Sequence, residues 1–218
     1  MKAMILAAGL GKRMRPLTDH TPKPLLEVAG KPLIVYHIER LRAAGYHELV
    51  INTHYRADQI HDCLGNGTLF GVDIQYSEEQ PQLLETGGGI LQALPLLGDH
   101  PFCVINGDIW TDHPLQAPTL SAETLAHLVL VKNPEHHPAG DFGLSGQQIT
   151  NQAQWTFSGI GWYRPELFHH HAPGQFPLAP ILRKAADRHQ VSGTLFSGTW
   201  IDIGTPERLQ QVRDSVII

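Results

Sequence analysis

ILAAGLGKRMRPLTDHTPKPLL, Ile5 to Leu26, begins as an apolar run and breaks at Gly9. It then delivers Lys12, Arg13 and Arg15 in quick succession, and sets Lys23 between Pro22 and Pro24. An apolar run that turns at glycine into a basic, proline-studded loop reads as a buried strand feeding a ligand-binding loop. The residues that follow fit that reading. KPLIVYHIERLRAAG places Ile34, Ile38 and Leu41 at helical spacing, with Pro32 near the first turn and Gly45 closing it. ELVINT then reads as a strand, RADQIHDCLG as a short helix, VDIQYSEE as a strand, TGGGILQALPLL as a helix and PFCVINGD as a buried strand. Strands and helices alternating at this spacing predict an α/β fold, a mainly parallel sheet covered on both faces.

The second half is less regular. AHLVLVKN and TFSGIGWY read as strands, and PLAPILRKAADRH as a helix. TPERLQQVRDSV reads as a closing helix with Thr205 as N-cap and Pro206 in its first turn. The stretch from Asn133 to Asn151, rich in Gly, Pro, His and Gln, predicts loops or a hairpin over the sheet, and His169–His171 a surface loop. One domain spanning 1–218 is expected.

Charge narrows the partners. A net charge of −5 over 218 residues argues against nucleic acid or an anionic membrane as the main partner, so a cluster of cations in this chain carries more meaning. No apolar run approaches the ~20 residues of a membrane span, and the short apolar start lacks a signal-peptide pattern, which predicts a cytoplasmic protein. Cys63 and Cys103 follow no metal-ligand spacing and are expected to be buried thiols.

The loop after the first strand lies where an open parallel sheet binds its ligands, beyond the strand carboxyl ends. Ala8, Gly9 and Gly11 let backbone N–H groups approach an anion, and Lys12 and Arg13 add charge suited to phosphate. Two familiar phosphate motifs do not apply. GxGxxG from Gly9 needs a glycine where Met14 stands, and a P-loop ending at Lys12 needs glycine at Leu6 and Ser or Thr at Arg13.

LAAGLGKRMRPLTDHTPKPLLEVAGKPLI, with its L-x-A-G-x-G-x-R start and later P-K-P and G-K-P, closely resembles the signature of the sugar-1-phosphate nucleotidylyltransferases. INGDIW resembles that family's metal-binding segment and GTWIDIGTPERL its W-x-D-I-G-T-P-E ending. The resemblance implies a single Rossmann-like domain with a mixed, mostly parallel sheet, residues 1–110 serving the nucleotide and 111–218 the sugar. It implies attack of a sugar 1-phosphate on the α-phosphorus of a nucleoside triphosphate, with Mg²⁺ and loss of pyrophosphate. Catalysis there is positioning and charge neutralisation. Arg13 is then expected on the departing pyrophosphate, Lys23 on the reacting phosphates, and Asp108 and Asp202 on the metal. Gln80, Thr86 and Gly87 are expected near the base, and Asn106, Asp141 and Gly159 near the sugar. Thr86 also fits a plain helix N-cap, and Gly88 and Gly89 fit close packing.

One departure stands out: many members carry Glu-Lys-Pro before the N-x-G-I segment that FSGI resembles, yet SGQQITNQAQW holds no lysine or arginine. HHPAGDFGL and FPLAPILRKA resemble members that join UTP to N-acetylmuramic acid 1-phosphate. Guanylyl or thymidylyl transfer to mannose or glucose 1-phosphate is the alternative within the family. A non-catalytic nucleotide-binding subunit is the alternative outside enzymes, and a Rossmann dehydrogenase a third. No residue in this reading accounts for the lactyl carboxylate of N-acetylmuramic acid.

Overall fold

The computed structural model describes residues 1–216. The first strand, β1 (Ala3–Leu6), alternates its side chains between two cores: Ala3 and Ile5 face one, Met4 the other. The opening loop follows, and a small ribbon of β2 (Glu27–Val28) and β3 (Lys31–Pro32) returns the chain to α1 (Leu33–Ala43). Next come β4 (Glu48–Thr53), α2 (Ala57–Leu64), β5 (Asp73–Glu78), α3 (Glu85–Leu97) and β6 (Phe102–Asn106). β4, β5 and β6 join β1 in parallel, β4 on one side of β1 and β6 on the other. The chain therefore reverses its order of addition between β1 and β6, which opens a crevice at their carboxyl ends.

The later strands extend the sheet past β6. They are β8 (Ala126–Val131), β9 (Phe142–Ser145), β10 (Gln148–Tyr163) and β11 (Val191–Phe196), reached after the short β7 (Ile109–Thr111). The order is β11-β8-β10-β6-β1-β4-β5, with β9 on β10, and β10 runs against each of its neighbours while the other strands share one direction. The mixed, mostly parallel sheet is as the sequence predicts, and the Asn133–Asn151 stretch does contain a hairpin, β9–β10. The strand β11 was not foreseen. One face is covered by α1 and α2, the other by α3 and α4 (Ala179–Ala186). No helix among the described residues is long and apolar enough to cross a membrane. Cys103 is buried, but Cys63 is exposed: the buried stripe of α2 is Ile60 and Leu64, and Cys63 falls at its outer edge.

A second ribbon, β7 with β12 (Trp200–Asp202), pairs Ile109 with Asp202. It leads into α5 (Pro206–Ser215), where the Thr205 hydroxyl accepts the Arg208 N–H, the expected N-cap. This helix explains Met14. Met14, 1% exposed, packs with Leu26, Val28, Leu33, Ile203, Leu209 and Val212 in a third core that fastens the opening loop to α5. Where a dinucleotide motif would place glycine, this chain places an anchor. Met14→Ala is expected to lower unfolding free energy by about 2–4 kcal/mol. Urea denaturation checks it, and a loss under about 1 kcal/mol would mean the loop is held without Met14.

Candidate active site

Leu6 and Asn106 are register partners at the ends of β1 and β6, so the Ala7–Gly9 and Gly107–Asp108 segments leave the sheet side by side. Their approach is close. Gly107 donates its N–H to Leu6 O (2.9 Å), and a Cβ on Gly107 would stand 2.7 Å from that oxygen. Across the crevice, Asn52 at the end of β4 accepts the Ala7 N–H (2.8 Å) and donates to Glu79 Oε1 (2.7 Å). Glu79, 1% exposed, accepts the Leu84 N–H through its other oxygen (2.8 Å). This buried chain of hydrogen bonds ties the end of β1 to the loop that leads into α3.

A cleft of about 310 Å³ opens between these segments, lined among others by Ala8, Gly9, Lys23, Glu79, Thr86 and Asp108. A second cavity, about 330 Å³, is lined among others by Arg13, Asn106, Asp108, His136, His137 and Asp202. Asn106 and Asp108 belong to both and mark the junction. From Ala8 to Arg13 no backbone N–H is engaged by another described residue, which leaves a run of donors at the cleft's rim. Gly11 supports that run with a left-handed turn (φ 62°), and Thr18 Oγ1 donates to its carbonyl (2.8 Å).

Lys23 Nζ donates to Asp108 Oδ2 at 2.6 Å, the lysine side chain 11% exposed and the aspartate 36%. Asp202 sits on the neighbouring rung, because Ile203 N–H donates to Asp108 O (2.8 Å) and Asp202 pairs with Ile109. Its Oδ2 accepts from Arg208 Nη1 and lies 3.1 Å from His136 Nε2. In both aspartates Oδ1 meets no described hydrogen-bond donor. Beneath the turn lies His37 of α1, 3% exposed. Burial pushes its imidazole down to about 4 against the opposing pull of Asp108, so it stands neutral under the aspartate turn.

Arg13, Lys23, Asp108 and Asp202 thus converge on adjoining cavities at one rim of the sheet. Lys12 is exposed and lines neither cavity. Gln80 is exposed and Gly87 is packed under Phe176; neither lines the cleft, where Glu79, Leu83, Glu85, Thr86 and Gln175 stand instead. Thr86 is not an N-cap, since α3 begins at Glu85 and the Gly87 and Gly88 N–H groups donate to Phe176 O. Gly88 and Gly89 do serve close packing, against Gly174 O and the Glu79 carboxylate. Asp141 points its carboxylate at Phe157 N–H (2.8 Å) and His137 Nε2 (3.1 Å), bracing the second cavity from behind its lining. Gly159 (φ 80°) backs onto the Asn106 side chain. The sequence reading passed over His136, His137 and Arg208. Arg208 was visible as a cation in the first turn of the closing helix, while the two histidines lacked any spacing signal.

Known proteins resemble this chain in sequence and in fold. The pattern of the nucleotidyl transferase family matches residues 2–154. The chain is 51% identical over 224 residues to an N-acetylmuramate alpha-1-phosphate uridylyltransferase of Neisseria meningitidis, covering 98% of this chain and 97% of that one. It is 38% identical to the enzyme of the same name from Caulobacter vibrioides, covering 94% and 92%. A Bacillus anthracis structure named for glucose-1-phosphate thymidylyl transfer superposes with a TM-score of 0.86 at 22% identity, covering 99% of this chain and 94% of that one, a likeness of fold.

Gly159 offers a direct test of the junction. Gly159→Ala would need a left-handed backbone and would drive its methyl into the Asn106 amide, so a loss of about 1–3 kcal/mol is expected, with catalytic turnover falling as Asn106 is displaced. Thermal unfolding and turnover measured together check this. Wild-type values for both would show that Asn106 can move without consequence.

Proposed function

The chain belongs to the nucleotidyl transferase family, and from that premise we propose that it transfers the uridylyl group of UTP to N-acetylmuramic acid 1-phosphate, giving UDP-N-acetylmuramic acid and pyrophosphate. The observation that carries the reading is the junction at Asn106 and Asp108, where Lys23 and Asp108 stand between two cavities of similar size. In this reading residues 1–110 build the nucleotide cleft and 111–218 most of the sugar cavity. The near-full-length likeness to uridylyltransferases of that name favours this substrate pair over guanylyl or thymidylyl transfer. The presence of all four charged residues argues against a non-catalytic subunit.

A sugar-phosphate oxygen attacks the α-phosphorus, an O–P bond forms, and the bond to the bridging oxygen breaks so that its electron pair leaves with pyrophosphate. Lys23, held at the junction by Asp108 and by flanking prolines, offsets charge building on the phosphoryl oxygens. The free N–H run from Ala8 to Arg13 cradles the triphosphate, while Arg13, expected on the departing pyrophosphate, lines the second cavity beside Asn106 and Asp108 and adds a cation there. The base lies along Leu83 and Thr86, nearer the cleft than Gln80 or Gly87. Asp108 and Asp202 suit a hard divalent ion: each keeps one uncommitted oxygen, they occupy neighbouring rungs, and no third acid joins them among the described residues. The remaining ligands would be phosphate oxygens and water, as Mg²⁺ prefers, and the ion supplies further neutralisation of the triphosphate.

Pyrophosphate release measured with the four nucleoside triphosphates against a panel of sugar 1-phosphates tests the substrate. UTP with N-acetylmuramic acid 1-phosphate is expected to give the highest kcat/KM, and a preference for GTP with mannose 1-phosphate would overturn that choice. Lys23→Ala is expected to lower turnover by about 100-fold or more. Near-normal turnover would remove the lysine from the chemistry.

A further inference from the structure

Asp202 ends a strand of three residues, and β12 pairs only with β7, which is equally short. That ribbon sets the backbone of Asp202, through its pairing with Ile109, but leaves the carboxylate two side-chain torsions to turn about. Asp108 faces the same freedom and is held at Oδ2 by Lys23. For Asp202 the corresponding hold comes from Arg208, six residues further along the chain.

Arg208 stands in the first turn of α5, its backbone N–H on the Thr205 hydroxyl (3.4 Å). Its Nη1 donates to Asp202 Oδ2, and both side chains are mostly buried. The same nitrogen donates to His136 Nε2 (2.7 Å). Nη1 carries two hydrogens, and these two acceptors engage both. His136 accepts at Nε2, so that nitrogen gives no proton to the carboxylate 3.1 Å away. Gly204 makes room for the guanidinium, since a Cβ there would stand 2.4 Å from Nη2. The next residue, Leu209, packs into the core that holds Met14, which fixes the helix turn from which the arginine starts. With Oδ2 taken by this anchored group, Oδ1 is the oxygen of Asp202 left for an ion. A hydrogen bond from outside the ligand set both aims a ligating carboxylate and strengthens the metal site.

We infer that Arg208 is the positioning residue of Asp202, holding Oδ2 so that Oδ1 faces the divalent ion. The inference rests on the uridylyl-transfer reading, with its ion at Asp108 and Asp202. The test titrates Mn²⁺ into protein saturated with UDP-N-acetylmuramic acid, in wild type, Arg208→Met and Arg208→Lys. The free ion is followed by its electron paramagnetic resonance signal. Arg208→Met keeps an apolar stem beside Gly204 and removes every donor, so the Kd for Mn²⁺ is expected to rise about 10–100-fold. Arg208→Lys keeps a cation but loses the planar fork, and its Kd should rise several-fold less. An arginine serving only to dock α5 would lower the unfolding temperature and leave the Kd of the folded protein as it was. Wild-type affinity in both variants, or tighter binding in either, overturns the role and leaves the aspartates as metal ligands. A wild type that takes up neither the nucleotide sugar nor Mn²⁺ would instead bring down the uridylyl-transfer reading, and the inference with it.

Discussion

Lys23 Nζ and Asp108 Oδ2 meet at 2.6 Å across 85 residues of sequence, and the site is organised around that contact. Neither group reaches the position by local structure alone. Lys23 is carried there by a short turn between prolines, and Asp108 by the glycine that lets the end of β6 slide under the end of β1. A largely buried lysine without its carboxylate would carry a heavy desolvation cost, so the pair holds the rim closed around opposite charges. The rim thus presents an ammonium already fixed in place beside a carboxylate with one oxygen to spare.

The lower tier of the site is polar and almost without formal charge pairs. Asn52 and Glu79 knit the ends of β1 and β4 to the approach of α3 through single hydrogen bonds, each buried and each satisfied. That tier explains Gly89 of α3, which lies against the Glu79 carboxylate and the Asn52 amide, so a side chain there would break the network. His37, neutral beneath the Asp108 turn, lies on the other face of the sheet, on α1.

Periodicity made most of the first half legible. β4 coincides with ELVINT, and α1, α2 and α3 lie where the apolar spacing put them, because each is a regular element with one buried stripe or a fully buried run. β11 escaped because it mixes buried Val191 and Gly193 with exposed Thr194 and Leu195, which obeys neither period. The charged residues of the opening loop and of the two aspartate segments could be picked out from the sequence, but their meeting could not. It depends on the β7–β12 ribbon, whose two three-residue strands carry almost no local signal. Gln80 lies one residue away from the cleft, exposed beside buried Glu79, since a loop has no period to separate inside from outside.

The Met14 anchor carries a consequence for biosynthesis. The basic loop is made well before Leu209 and Val212, which complete the pocket for Met14. A nascent chain can build the central strands early, yet it must leave this loop unfastened until α5 has cleared the ribosome. The loop therefore takes its final form only once α5 has docked against it.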